Sequence, residues 1–238
     1  GDAVRGFDGG FAAATTEFIS ATAAFTSADV GKTFKADGAG AAGVQLLTTI
    51  ASVDSATTIQ TTAAASTITS GEIFVYGTDD TVSIQAAITA LSNNETIKFG
   101  PHSFLVSDDL DVTKDNIVLD GTGSQLMQVG LLKKTIKLDE CDGVEIFGFK
   151  LIGTGTEPIT TSTSHNGTAG IYIGNSVTVR VHDNWLITHA GGGIRFATPS
   201  AGTVCRDIKI YDNLVSGVGS SLISALDNEF DVGIGSVD

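Results

Sequence analysis

A short alternation of apolar and polar residues returns four times in the second half of the chain. The four segments are residues 117–121, 144–148, 179–183 and 208–212. Each begins with two apolar residues flanking another residue and then runs into a turn. A second set with the same alternation lies in the same repeats, at residues 136–138, 171–173 and 194–196. A period of two predicts short strands with one buried face.

Irregular repeats of this length, built of short strands without helices, predict a solenoid. A leucine-rich repeat would show a Leu/Asn consensus, which this sequence lacks. A propeller would need about four strands in each repeat of roughly 40 residues or more. The architecture that remains is a parallel β-helix.

Upstream of the repeats, one helix is predicted over residues 81–92. Ile84, Ile88 and Leu91 recur at the i, i+4 and i+7 spacing of a single helix face. Two aspartates directly before this segment place negative charge where a helix N-terminus favours it.

Residues 1–76 are rich in Ala, Thr, Gly and Ser, with short apolar clusters divided by glycine-containing turns. This pattern predicts a small β domain of five or six strands. The predicted strands are residues 23–25, 30–34, 46–53, 57–61 and 73–76.

The order of motifs from residue 77 onward resembles the pectate-lyase superfamily. Residues 77–81 and 84–88, read as GTDDT and IQAAI, are similar to its G-x-x-D-D-T-x-A-I-Q-x-A-I signature. Residues 97–106 resemble the next strand, turn and strand, and residues 116–123 resemble its N-V-x-L-x-G-x-G coil. The segment at residues 25–32, FTSADVGK, is similar to small β modules of phage tail proteins.

The resemblance implies an all-β fold: a right-handed parallel β-helix, at residues 77–238, capped by one N-terminal helix and preceded by the small β domain at residues 1–76. It implies a role found in phage tail spikes and in secreted polysaccharide lyases and hydrolases, and a homotrimer. The strand-like run near Asp238 predicts that the ordered part of the helix has been cut short. No motif of a lyase calcium site or a hydrolase acid pair is present.

The balance of 13 basic and 27 acidic residues gives a net charge of −14. This charge repels phosphate backbones and anionic lipid, so nucleic acid and membrane surfaces are not expected partners. The chain also lacks the run of roughly 20 apolar residues that a membrane span needs. An acidic polysaccharide is disfavoured for the same electrostatic reason.

Aligning the repeats places Asp183 and Asp212 in one column, each followed by an asparagine, Asn184 and Asn213. Stacked coils are about 4.8 Å apart, so the asparagines are expected to form a ladder that satisfies turn backbone groups. Two carboxylates at that spacing would suit a retaining glycosidase, and Asp183 and Asp212 are therefore the candidate catalytic residues. Support of the turns is the structural alternative.

A second column, Phe147, His182 and Tyr211, faces outward as an aromatic strip. It is a candidate binding surface for sugar rings, and an interface between protomers is the alternative. The neighbouring column is a predicted charge ladder of Glu145, Arg180 and Lys209.

The same alignment places the two cysteines, Cys141 and Cys205, in one column with Ser176 between them. Two coils span about 9.6 Å, beyond the reach of a disulfide, so free thiols are expected. The acidic residues Asp139, Glu140 and Asp142 lack the ligand spacing of a calcium loop, and neither a metal nor a cofactor is expected.

A Thr- and Ser-rich segment, residues 153–169, interrupts the second repeat and contains Glu157 as its carboxylate. Long loops on a solenoid commonly carry recognition, so Glu157 is a further candidate for substrate binding.

Three functions follow as hypotheses. The first is a tail spike or fibre subunit, extracellular on a virion tail, that binds bacterial surface polysaccharide and other virion tail proteins. The second is an active polysaccharide depolymerase, a lyase or a glycoside hydrolase. The third is a structural subunit of an extracellular appendage.

Overall fold

The computed structural model describes residues 1–12, 14–153, 168–189, 192–197 and 205–217, together with the backbone of residues 223–226 and 232–234. Within these residues the chain forms 22 strands and one α-helix. The strands divide into an antiparallel barrel and three parallel sheets.

The first six strands close into a barrel in the order β1-β2-β5-β4-β3-β6. They are β1 (Val4–Phe11), β2 (Glu17–Ser20), β3 (Thr33–Ala36), β4 (Leu46–Ser55), β5 (Thr58–Thr61) and β6 (Thr69–Gly77). The predicted small β structure is confirmed, whereas the strand predicted at residues 23–25 is wrong and β1 and β2 were missed. Closure leaves the barrel without unpaired strand edges.

Phenylalanine rings fill the barrel. The ring centroid of Phe18 lies 4.7 Å from that of Phe34 and 5.0 Å from that of Phe74, with the rings edge to face. All three side chains are buried. Such pairs add about 0.5–1.5 kcal/mol beyond the area that they bury, so this cluster contributes to barrel stability.

The helix α1 (Thr81–Ala90) follows the barrel and ends two residues earlier than predicted. Leu91 adopts an extended conformation, and its N–H donates to the Ile88 carbonyl. Ile84 and Ile88 are buried in one core cluster with Leu110 and Val112, as their spacing predicted.

The remaining strands form coils of three. The first coil contains β7 (Thr96–Lys98), β8 (Ser103–Val106) and β9 (Leu110–Val112); the second β10 (Val118–Asp120), β11 (Gln125–Gln128) and β12 (Lys134–Asp139); the third β13 (Glu145–Phe147), β14 (Lys150–Ile152) and β15 (Ala169–Gly174). The fourth contains β16 (Arg180–His182), β17 (Trp185–Ile187) and β18 (Ile194–Ala197); the fifth β19 (Ile208–Tyr211), β20 (Leu214–Ser216) and β21 (Ile223–Leu226); β22 (Val232–Ile234) begins another.

Corresponding strands stack into three parallel sheets. Sheet 1 is β7-β10-β13-β16-β19-β22, sheet 2 is β8-β11-β14-β17-β20, and sheet 3 is β9-β12-β15-β18-β21. The predicted register is confirmed for sheet 1, where Glu145 pairs with Arg180 and Arg180 with Lys209. The stacking begins earlier than the repeats indicated, because β7 already pairs with β10. The chain is thus a parallel β-helix.

Aliphatic ladders form the core between the three sheets. In sheet 1 the inward column is Leu119, Ile146, Val181 and Ile210, and all four side chains are buried. Full burial of such a side chain contributes about 1.5–3 kcal/mol. The alternation visible in the sequence therefore has its cause in one face of every strand lying in this core.

The motif at residues 77–88 covers the open end of the β-helix. The Gln85 side-chain amide pairs with the edge of β9 through the same two kinds of hydrogen bond that a neighbouring strand would form. Its Nε2 donates to the Asp111 carbonyl at 2.9 Å, and its Oε1 accepts the Asp111 N–H at 2.8 Å. Asp80 does the same for β8, with its N–H donating to the Leu105 carbonyl at 2.8 Å and its carboxylate accepting the Leu105 N–H at 3.3 Å. These bonds satisfy strand edges that would otherwise be unpaired.

The barrel packs on the outer face of sheet 2. Val75 of the barrel lies in one buried cluster with Leu105, Met127 and Ile152, which form an outward column of that sheet. Gln45 Nε2 also donates to the Val129 carbonyl at 2.7 Å. The barrel therefore covers one column of sheet 2.

The segment at residues 25–32 lies at the same junction. Asp29 accepts a hydrogen bond from the Thr26 N–H at 2.8 Å, and it forms an ion pair with Lys32 at 2.8 Å. Lys32 also pairs with Asp2 at 2.6 Å, and Asp2 accepts the Thr78 N–H at 2.7 Å. This motif consequently links the barrel to the start of the cap.

The two cysteines occupy one column, as predicted. Val177 bridges to both Asp142 and Arg206, so Ser176 lies between Cys141 and Cys205 along the helix. Both cysteines are free and buried.

Candidate functional site

Two aspartates project from consecutive turns between sheet 1 and sheet 2. Asp183 (φ 54°) follows β16 and Asp212 (φ 52°) follows β19, both in the left-handed region, and Gly148 (φ 76°) has the same place one coil earlier. Aspartate tolerates this conformation better than most residues that carry a side chain. The turn geometry thus explains the residue type, and it also directs both carboxylates outward.

The next residue of each turn forms the predicted asparagine ladder. Asn184 Oδ1 accepts the Phe149 N–H at 3.0 Å, and its Nδ2 donates to the His182 carbonyl at 2.8 Å. Asn213 Nδ2 donates to the carbonyls of Val181 and Tyr211 at 2.8 and 2.9 Å. The structural interpretation of these asparagines is confirmed, and their amides hold the turns that carry the two aspartates.

A groove of about 560 Å³ runs beside these turns on the outer face of sheet 2. Its wall includes Gln125, Lys150, Asp183, Trp185, Asp212 and Leu214. Four of these residues are consecutive register partners in one outward column, from Gln125 on β11 to Leu214 on β20. This column lies beside the one that the barrel covers, and it is left open.

Trp185 is the exposed aromatic residue of the described groove lining, which also contains the buried Phe149, and sequence reasoning missed it. It is the single tryptophan of the chain, and it is 43% exposed. Lys150 Nζ lies 4.6 Å from its ring centroid, within cation–π range. The signal was present in the alternation of β17, where the buried Leu186 requires that Trp185 points outward.

The predicted aromatic strip is a stack of parallel rings. The imidazole of His182 lies 5.2 Å from the Phe147 ring and 4.7 Å from the Tyr211 ring, with interplanar angles of 3° and 6°. Both faces of the imidazole are therefore covered by protein. The strip presents ring edges, whereas Trp185 lies partly open in the groove.

His182 connects the stack to the groove. Its Nδ1 lies 2.7 Å from Asp183 Oδ2, and its Nε2 lies 3.1 Å from Glu145 Oε1. Glu145, Arg180 and Lys209 are register neighbours, as the charge ladder required. The structure therefore brings together five of the six candidate site residues, which are Asp183, Asp212, Phe147, His182 and Tyr211.

The sixth candidate, Glu157, lies outside the described residues, as does most of the segment predicted to carry recognition. In the described part of the chain, no cluster of His, Cys, Asp or Glu side chains could hold a metal ion.

His189 was expected to be an ordinary surface histidine, and this expectation is wrong because the side chain is buried. Burial lowers its pKa to about 4, against the opposing effect of a hydrogen bond with the Leu151 backbone. The side chain lies close to Gly153 and Gly170 in the helix interior. Its surroundings assign it to the core and not to the groove.

Comparisons with known proteins find no matching family model and no matching curated protein. Among solved structures, the chain is similar to the tailspike protein gp49 from Pseudomonas phage LKA1, with 10% identity and a TM-score of 0.30 over 87% of this chain and 34% of that one. It is similar to the Pseudomonas phage phi297 tailspike gp61, with 12% identity and a TM-score of 0.35 over 88% and 34% of the two chains.

A third similar structure is the gp54 tailspike of Acinetobacter baumannii bacteriophage AP22 in complex with A. baumannii capsular saccharide. The identity is 12% and the TM-score 0.31, over 89% of this chain and 34% of that one. The chain thus spans about a third of the length of these tailspikes. Because the similarity is weak, the fold rests on the strand register, which identifies this chain as a parallel β-helix with a helical cap and a preceding β-barrel.

Proposed function

We propose that this chain belongs to a tail spike or tail fibre subunit that recognises bacterial surface polysaccharide through the groove on sheet 2. The observation that carries the proposal is the exposed Trp185 beside two outward carboxylates, Asp183 and Asp212. An indole face packs on the C–H face of a sugar ring, and carboxylate oxygens accept hydrogen bonds from sugar hydroxyls. This combination suits a saccharide.

The scaffold supports binding because it fixes the groove before a ligand arrives. Lys150, Trp185 and Leu214 lie on strands that are paired on both sides or along one side by backbone hydrogen bonds. The asparagine ladder fixes the adjacent turns. A preformed site loses little conformational entropy on binding, which favours affinity for a flexible polymer.

The remaining parts of the proposal concern assembly. The barrel attaches or orients the β-helix on other virion tail proteins, the subunit is a homotrimer, and the protein acts outside the cell on a virion tail. In the described residues, no helix is long and apolar enough to cross a membrane. The stacked Phe147, His182 and Tyr211 lie next to the groove and either extend it or contact a neighbouring protomer.

The test is binding of purified protein to a panel of bacterial capsular and lipopolysaccharide glycans. Because Trp185 is the single tryptophan, a ligand in the groove should change its fluorescence. Trp185→Ala should abolish retention on an immobilised glycan. Phe7→Ala, which removes an exposed aromatic side chain of the barrel, is the matched control and should bind normally. Equal retention of both variants would exclude the groove as the site.

Depolymerase activity is the second candidate, and the pair of aspartates favours it. Asp183 and Asp212 project from consecutive coils about 4.8 Å apart, a separation that suits retaining glycosidases. The contact with His182 distinguishes Asp183 from Asp212. New reducing ends without unsaturated products, lost in both Asp183→Asn and Asp212→Asn, would establish a hydrolase, and unsaturated products would establish a lyase. Binding without any product would leave recognition alone.

A further inference from the structure

We infer that the groove selects uncharged, hydroxyl-rich sugar residues over sugars that carry a carboxylate. This inference rests on the proposed glycan-binding function and names the class of ligand that the same site accepts. It follows from which hydrogen-bonding groups of the groove are already used within the protein and which remain.

Acceptors remain available in the groove. Asp183 uses Oδ2 for the contact with His182 Nδ1, and its Oδ1 has no partner among the described residues. In the same part of the chain, both carboxylate oxygens of Asp212 are also without partners. Three carboxylate oxygens thus have no partner within the described residues and can accept from donors that a ligand brings. A sugar hydroxyl is such a donor.

Most donors of the groove, in contrast, are already engaged. The side-chain amide of Asn184 donates to the carbonyls of Ile146 and His182, and the Ser124 hydroxyl donates to the Gly121 carbonyl. The backbone N–H groups of the outward column are used as well: that of Trp185 donates to Phe149, that of Leu214 to Asn184 and that of Lys150 to Ser124. A ligand that brings mainly acceptors finds few partners here.

The cationic side chain of Lys150 in the described groove lining does not offset the excess of free acceptors over free donors. Lys150 Nζ lies over the Trp185 ring at 4.6 Å, where the ring quadrupole holds it. Its single positive charge is opposed by the two carboxylates of Asp183 and Asp212 in the same groove. A ligand carboxylate would therefore enter a site of net negative charge, where its oxygens would face the acceptor oxygens of Asp183 and Asp212. The net charge of −14 on the whole chain adds to this repulsion.

Matched polymers test this selectivity. The full chain is titrated with amylose, mannan and galactan, and with the C6-oxidised form of each, in which the hydroxymethyl group has become a carboxylate. Trp185 fluorescence and calorimetry give the dissociation constants. For each polymer that binds, the neutral form should bind at least about tenfold more tightly than its oxidised form. Added salt should weaken this difference by screening the repulsion.

Variants connect the preference to the two aspartates. The double variant Asp183→Asn, Asp212→Asn should bring each neutral and oxidised pair to within about threefold of each other, because the repulsion is removed. Asp207→Asn is the matched control, since Asp207 is an exposed aspartate in the same left-handed conformation (φ 50°) and does not line the groove. It should retain the full preference.

Three outcomes would count against the inferred selectivity or against the proposed function. Equal or tighter binding of the oxidised forms would overturn the inferred selectivity and leave glycan binding intact. A neutral preference that survives in the double variant would also overturn it, because the aspartates would not be its source. Failure of all six polymers and of the capsular panel to bind would instead overturn the proposed function, and the inference with it.

Discussion

Asn213 Oδ1 accepts two hydrogen bonds from Asn184, one from its backbone N–H at 3.1 Å and one from its side-chain amide at 3.0 Å. The two residues lie one coil apart, so a single side-chain oxygen joins consecutive turns. Each asparagine directly follows an aspartate of the groove, Asp183 or Asp212. The ladder that stabilises the turns therefore also sets the positions of the carboxylates.

Replacing Asn184 should destabilise the protein strongly. The side chain is 2% exposed, and Asn184→Ala leaves the Phe149 N–H and the His182 carbonyl without their partner. A buried polar group left unsatisfied costs about 1–3 kcal/mol, so a loss of about 3 kcal/mol is expected in urea unfolding. Asn93→Ala, at an exposed turn, is the control and should change the free energy of unfolding by less than about 0.5 kcal/mol. Similar midpoints for the two variants would contradict the ladder's role.

Replacing Gln85 should open the capped end of the β-helix. Gln85→Ala removes both hydrogen bonds to the backbone of Asp111, with an expected cost of about 2 kcal/mol. The specific readout is faster hydrogen exchange at the Asp111 amide. Gln85→Glu keeps the acceptor and should preserve more of that protection. Ser83→Ala, at an exposed position of α1, serves as the control. Unchanged exchange at Asp111 in Gln85→Ala would show that the cap does not depend on this side chain.

Acid should destabilise the fold through His189. Burial lowers the pKa of His189 to about 4, whereas the unfolded chain has the ordinary value of about 6.5. Above pH 6.5 the group is neutral in both states. As pH falls towards 4, only the unfolded state binds the proton, so the free energy of unfolding decreases by roughly 3 kcal/mol over this window.

The measurement is urea unfolding of the protein and of His189→Gln at several values of pH between these limits. The variant should lose this part of the pH dependence. His102→Gln, which replaces an exposed histidine, should keep it. Identical slopes for His189→Gln and the unmodified protein would contradict the assignment.

The two thiols should be unreactive in the folded protein. Burial raises the pKa of Cys141 to about 11 and also raises that of Cys205, so little thiolate forms at pH 8. Ellman's reagent should label neither residue in the native chain and both in urea. Rapid labelling without denaturant would contradict the burial of the thiols, and a disulfide between the two detected by mass spectrometry would contradict the coil register.

The sheet 1 register was predictable because its signals are local. A period-two alternation ends at a turn where aspartate or glycine adopts the left-handed conformation, as at Gly148, Asp183 and Asp212. A shift by one residue would exchange the inward and outward faces, so the pattern permits one alignment. The same alignment placed Cys141 and Cys205 in one column and predicted the stack around His182.

The groove was not predictable in the same way. The column from Gln125 to Leu214 joins four coils whose spacing in the sequence is irregular, and its openness depends on which neighbouring column the barrel covers. The bond between Gln85 and Asp111 likewise depends on how the helix is placed over the strand edge. These relationships arise from packing between distant segments.

Strand β1 shows most clearly the difference between what the sequence predicts and what depends on tertiary packing. Its sequence, VRGFDGGF, contains glycines that indicate turns when read alone. In the folded barrel, a Cβ at Gly6 would lie 2.2 Å from the Phe74 ring, and one at Gly9 would lie 2.5 Å from the Phe18 ring. The sequence by itself determined the alternating strands of sheet 1, their register and the helix that precedes them, because period and turn residues are local properties. The tertiary structure alone decided the barrel closure and the groove, because both depend on the space that side chains from distant strands leave to one another.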